Sequence, residues 1–230
     1  MVGLGDIILL ELSKEQILEA IEKARSLHFI DNLRSRHPNI QFDCKLRGYI
    51  GETAISGWFA KFGIVTQETN FVDEENNIDV DFRVGNQVVE LKTSLIPDID
   101  KNLQAVLQKR DIKLIKRGNS PVEGLKGDVH LQIYFDQRRN AKDIWLQERK
   151  ADIENCEAEE LYEKFRADRY LLTTYFVAWI DKPSLVQRIN SLAISERTWS
   201  FRHSQRQFWK CKLNESNKPV ELIQYLRNLA

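Results

Sequence analysis

The chain has 230 residues, 42% of them hydrophobic and 30% charged, enough to bury a sizeable core in one domain or two small ones. Lys plus Arg and Asp plus Glu balance at 34 each, so a uniformly basic nucleic-acid binder is excluded while a clustered basic surface is not. Cys44, Cys156 and Cys211 are far apart and odd in number, which argues against a disulfide framework or a zinc site and for a reducing cytoplasm.

The opening MVGLGDIILLEL has a short apolar run with acidic flanks and no basic lead, and reads as a strand or helix lead-in, not a signal peptide. No apolar run approaches the ~20 residues that span a bilayer, so no membrane partner is expected. Ser13-Lys14-Glu15-Gln16 is a capping-box pattern, and Ile17, Ile21, Ala24 and His28 recur behind it at helical spacing. The spacing predicts a helix from Ser13 to the low thirties, with His37-Pro38 closing the region. A second helix is predicted over 46–62, burying Ile50, Ala54, Trp58 and Phe62, with Gly63 at its C-cap. Residues 64–69 read as a strand and 72–77 as a polar turn.

The clearest local pattern follows. Residues 78–84 alternate at period two, Gly85-Asn86 is a turn pair that favours positive φ, and 87–93 continue as a second strand. Further on, a helix is predicted over 100–110, a strand over 129–135, a helix over 157–166 and a long apolar strand over 171–180. A helix over 183–192, short strands over 198–202 and 207–213, and a closing helix over 220–229 complete the pass. Mixed helices and strands give an α/β or α+β class.

If Gly85 and Asn86 are the whole loop, Val84 pairs with Gln87, and counting outward places Asp81 opposite Glu90 and Asp79 opposite Lys92. Side chains alternate along a strand, so Asp79, Asp81, Glu90 and Lys92 share one face, while Phe82, Val89 and Leu91 share the core face. Opposed carboxylates repel, and a divalent cation of the Mg²⁺ type suits two carboxylates with waters left in place. Lys92 beside them fits charge stabilisation at a phosphate or orientation of an attacking water. The same pattern also fits a solvated hairpin with cross-strand Asp–Lys and Glu–Arg pairs.

An Asp on one strand followed by Glu-x-Lys on the next resembles the PD-(D/E)XK nuclease superfamily, here as Asp81 and Glu90-Leu91-Lys92 within IDVDFRVGNQVVELKTS. The preceding helix, RGYIGETAISGWFAKFG, is similar to the superfamily's Gly-Glu helix and would aim Glu52 at the metal. The likeness covers residues 46–94; the proline of the superfamily's name is absent, Ile78 standing before Asp79. The resemblance implies an α/β restriction-endonuclease-like core, a central mixed β-sheet flanked by α-helices, spanning 1–230 as one nuclease domain. Its catalytic core would lie over 46–135, with 136–230 completing the fold and contacting DNA. It also implies Mg²⁺, with Mn²⁺ as substitute, bound by Asp81, Glu90 and Glu52, and catalysis by Asp81, Glu90 and Lys92. Asp79 is the reserve for the essential aspartate, because a bulge would shift the register. The substrate would be DNA, cut by a stand-alone type II restriction endonuclease or by a repair or recombination nuclease. A catalytically inactive nucleic-acid-binding protein of the same fold is the rival of another class. Cutting both strands of a symmetric target implies a homodimer.

Two further segments bear on DNA. Lys109, Arg110, Lys113, Lys116 and Arg117 either contact phosphates or form a solvated face. In the C-terminal hairpin, Trp199, Phe201, Trp209, Cys211 and Leu213 are expected in the core, and the loop between the strands offers Arg202, Gln205 and Arg206 as base-edge readers or as an ordinary polar loop. His28, His37, His130 and His203 are scattered with no ligand or triad spacing.

Overall fold

The computed structural model describes residues 1–26, 38–68, 81–201 and 206–229. The expected end of the first helix, the turn at 72–77, and Asp79, Arg202 and Gln205 lie outside the described residues.

After a short edge strand β1 (Ile8–Leu10), the Ser13 capping box forms: its N–H donates to Gln16 Oε1 at 2.8 Å and Gln16 N–H donates to Ser13 Oγ at 3.3 Å. Helix α1 (Lys14–Ser26) follows. Helix α2 spans Pro38–Ala60 and so begins well before the expected residue 46. Proline lacks the N–H that a first turn leaves unpaired and its φ is already helical, so Pro38 opens this helix instead of closing the previous one. Phe42 and Leu46 carry the Ile50–Ala54–Trp58 stripe back by two turns, whereas Phe62, expected in that stripe, is exposed. Gly63 (φ +73°) ends the helix as expected, with Gly63 N–H on the Ala60 carbonyl and Ile64 N–H on that of Phe59.

Two strands, β2 (Gln67–Glu68) and β3 (Phe82–Val84), precede the long β4 (Gln87–Ile96). Helix α3 (Leu103–Lys109), capped by Asn102, leads to β5 (Leu114–Lys116) and β6 (Val129–Arg138). Helices α4 (Arg139–Glu148), α5 (Lys150–Asn155) and α6 (Ala158–Ala167) come next; the first two were not expected. Strand β7 (Thr174–Asp181) starts later than predicted because Leu171, at φ +54°, cannot be extended. Asp181 caps α7 (Lys182–Ser191), and β8 (Thr198–Ser200), β9 (Gln207–Trp209) and α8 (Glu221–Arg227) close the chain.

The main sheet has the order β1-β7-β6-β4-β3-β2, with β4 and β6 parallel and the other pairs antiparallel. It is thus a mixed sheet flanked by helices, and the α/β class holds. A second antiparallel sheet runs β5-β9-β8. Ala54, Ile55, Trp58 and Phe59 of α2 pack with α8 on the face carrying Val89, Leu91, Leu131 and Ile133. Another apolar cluster joins Val106, Leu107, Ile112, Leu114, Leu185 and Ile189 to Tyr134, Val177 and Ile180, linking α3, α7 and the region around the second sheet to the main one. Gly51 marks the closest approach of α2 to β4: a Cβ there would sit 2.6 Å from Thr93 Cγ2 and 3.3 Å from Leu91 Cδ2. No described helix is long and apolar enough to cross a membrane.

Candidate active site

The hairpin forms with the register read from its turn: Val84 faces Gln87, Arg83 faces Val88 and Phe82 faces Val89 across Gly85 (φ +55°) and Asn86. Positive φ at the first loop residue alone is the pattern of a type II′ turn, whose twist suits a hairpin. The pairing does not continue to Asp81 and Glu90. Asp81 N–H donates to the carbonyl of Val89 (3.1 Å), already the partner of Phe82, and the Asp81 carboxylate accepts from the Leu91 amide. Asp81 thereby satisfies the first β4 amide that β3 leaves uncovered, and its Oδ2 lies against the backbone between Glu90 and Lys92.

Glu90 is 2% exposed. Its Oε1 lies 2.7 Å from Lys92 Nζ, and its Oε2 lies 2.7 Å from His130 Nδ1. The parallel register sets Glu90 beside His130 and Lys92 beside Gln132, so the alternation of both strands puts all four on the face away from Val89 and Leu91. Burial raises the Glu90 pKa, but Lys92 and His130 together overcome it and hold the carboxyl down at about 2. A carboxylate can only accept, so Nδ1 of His130 is the protonated nitrogen of that contact. Gln132 Nε2 donates to the Lys92 carbonyl and to Ser94 Oγ, both at 2.9 Å, and its Oε1 accepts from Lys113 N–H at 3.1 Å. Through Gln132, these bonds tie the segment entering β5 to the middle of β4 at Lys92.

Lys92 opens onto a cleft of about 1200 Å³ whose lining holds nine Lys or Arg side chains against three Asp. Arg47, Arg139 and Lys142 stand on the helical wall; Arg110, Lys113 and Arg206 stand on the wall nearer the second sheet. The aspartates are already engaged: Asp43 with Arg47 (2.8 Å), Asp111 with Lys212 (3.1 Å) and Asp143 with Lys142. Burial, then the positive charge of Arg47, Arg139 and Arg110, pushes Lys113 down to about 8. Cations crowded this way favour an anionic occupant. Of the basic segment noted in the sequence, Lys109, Arg110 and Lys113 line this cleft. Lys116 lies over the Trp209 ring (5.7 Å) and donates to the Gly118 carbonyl.

No protein-family model matches the chain, and no curated protein or solved structure matches it either.

The structure thus joins Glu90 and Lys92 directly and brings Asp81 to the peptide between them. Glu52 is half-buried on α2, the residue after Gly51, on the helix that covers the Leu91 face of the sheet. Among the described residues no three His, Cys, Asp or Glu side chains form a metal-holding group. Arg206 lines the cleft. Lys92 is only 20% exposed because it reaches to the buried Glu90. His130 is the residue that sequence reasoning passed over. The signal was the alternation of VHLQIYF, which places His130 and Gln132 on one face and Val129, Leu131 and Ile133 on the other. The expected core positions of Trp199 and Phe201 are corrected: Trp199 is half-buried, Phe201 is 48% exposed, and both line the cleft. Trp209, Cys211 and Leu213 are buried as expected.

Proposed function

We propose that the protein is a Mg²⁺-dependent endonuclease hydrolysing DNA phosphodiester bonds on a restriction-endonuclease-like core. One observation carries this reading: an ionised, buried Glu90 paired to Lys92 at the edge of a cleft in which cations outnumber acids nine to three. The cationic walls would hold the phosphate backbone, the dominant source of DNA affinity. Asp81 and Glu90 offer the hard, ionised oxygens that Mg²⁺ prefers and so fit the ion in kind, with the Leu91 carbonyl as a further donor; Glu52, on the helix over the other face, would not join them. When bound, the ion would supply Lewis-acid polarisation of the phosphate and a more acidic water. Lys92 would exchange its contact with Glu90 for the scissile phosphate or the attacking water, offsetting the charge that develops there. His130 would keep Glu90 oriented while Lys92 moves.

The engagement of both Glu90 oxygens inside the protein favours one rival, a nucleic-acid-binding protein of this fold without activity. Cleavage of supercoiled plasmid and of circular single-stranded DNA in Mg²⁺ or Mn²⁺ separates the two. Wild-type cleavage that disappears on chelation and in Glu90→Gln supports the nuclease; tight binding with no strand breaks in either metal establishes the binder. Between kinds of nuclease, the aromatic side chains on the cleft wall favour a repair or recombination enzyme over one that cuts intact duplex.

A further inference from the structure

Three aromatic rings stand together on the cleft wall formed by β8 and β9. Trp199 and Phe208 are stacked at 4.6 Å between centroids with planes 18° apart, and Phe201 meets both edge-on at 5.0 and 5.5 Å. Phe208 is buried and supports the other two, while Phe201 keeps about half its surface outward. Exposed aromatic surface in a strongly cationic cleft is out of place for binding phosphate alone, since a phosphate is served by Lys and Arg. An intact duplex also gives these rings little, because its base faces are stacked on each other inside the helix. An unpaired base is different. It presents a π-face that stacks on an aromatic side chain for about 1–3 kcal/mol, while flanking cations follow its backbone. Arg206, on the same wall, and Arg47 and Lys142, across the cleft, supply that second half.

We propose that the Trp199–Phe201–Phe208 cluster is a base-stacking platform, and that the DNA entering this cleft is single-stranded or carries an unpaired segment. The proposal rests on the nuclease reading for its DNA substrate and on the aromatic geometry for its strandedness. A single strand would run along the cations with its bases against Phe201 and Trp199, and its sugar-phosphate chain would pass Lys92.

The test is fluorescence anisotropy in EDTA, where no cleavage intervenes, with a labelled 20-nucleotide strand free of self-pairing, its blunt duplex, and an abasic strand of equal length. The single strand is expected to bind at least tenfold more tightly than the abasic strand. Phe201→Ala should lose about tenfold on the single strand and little on the other two. Phe201→Leu, which keeps bulk without a ring, should behave like the alanine variant, and Phe201→Trp should restore binding. Equal affinity for normal and abasic strands, preference for the duplex, full affinity in Phe201→Leu, or no DNA binding at all would each overturn the platform. Base-dependent binding by a protein that cuts nothing in Mg²⁺ would sink the nuclease reading and leave the platform standing. Metal-dependent cutting without base dependence does the reverse.

Discussion

Replacing Lys92 tests the site before any reaction is measured. Glu90 is charged and almost fully buried, and Lys92 supplies one of its two charge-stabilising contacts. Stripping one partner from a buried ion pair costs about 3–5 kcal/mol when nothing else can compensate. Here His130 remains on the other oxygen, and the 20% exposure of Lys92 shows that water can reach Oε1 once the lysine is gone. Both put Lys92→Ala below that range, at about 2 kcal/mol, or a fall in Tm of about 4–8 °C for a chain of this size. Removing the charge as well should repair much of the damage, because a neutral amide needs no cation. Glu90→Gln/Lys92→Ala is therefore expected to be about 1 kcal/mol more stable than Lys92→Ala alone. Urea denaturation of the four proteins of the cycle, followed by circular dichroism at pH 7, measures this directly. If Lys92→Ala is as stable as wild type, or the double variant is the least stable of the set, Glu90 is not a buried anion held by Lys92. Activity of Lys92→Ala is then assayed well below its own Tm, where lost cleavage reports on the reaction and not on unfolding.

Four further outcomes follow from the geometry. Held near 2 in the fold against an ordinary 4.5, Glu90 contributes about 3 kcal/mol of stability that is present above pH 4.5 and lost as pH falls toward 2, so the stability gap between wild type and Glu90→Gln should shrink over that window in acid-dependent urea titrations. Gly51→Ala should destabilise by about 1 kcal/mol net, overpacking against Thr93 outweighing the gain in helix propensity, whereas Gly57→Ala, whose Cβ would meet only Gln16 Nε2 at 3.7 Å, should raise the Tm. Asp81→Asn should stay folded, since its amide oxygen can still accept from Leu91 N–H, yet lose Mg²⁺-dependent cleavage, while Asp79→Asn keeps measurable activity; the opposite pattern in plasmid nicking would transfer the metal role to Asp79. Log affinity for DNA should fall linearly with log salt, by about 0.7 per phosphate on a single strand, and a flat titration would remove the cleft as the binding surface.

What could be read in the sequence is what local physics decides. The Gly85-Asn86 pair fixed the hairpin register, and register with alternation fixed that Glu90 and Lys92 share a face opposite Val89 and Leu91. Gly63 and the Ser13 box set helix ends by backbone bonding within a few residues. Apart from the break in pairing at Asp81, the main misses are long-range. His130 meets Glu90 only because β4 and β6 run parallel in one particular register, which no pattern near Glu90 reports. Pro38 suits a helix start as well as a break, and only the burial of Phe42 and Leu46 against their tertiary partners decides. Trp199 and Phe201 alternate as core residues would; their strand belongs to the smaller sheet and looks onto the cleft.

The zero net charge illustrates the same division. Acid is spent in pairs away from the cleft, such as Lys14 with Glu159, Lys61 with Glu11 and Arg149 with Asp168, which neutralise themselves locally. The cations of the cleft come from α2, β4, α3 and the approach to β5, α4, α5 and the residue before β9, and only Lys109, Arg110 and Lys113 share a basic run. Folding gathers them on one concave surface, where field focusing makes a local excess of positive charge count for more than the overall sum. A strand of DNA drawn into that surface would meet Lys92 at one edge and the Trp199–Phe201 wall at another, so the residues proposed for the reaction and those proposed for strandedness would act on one bound molecule.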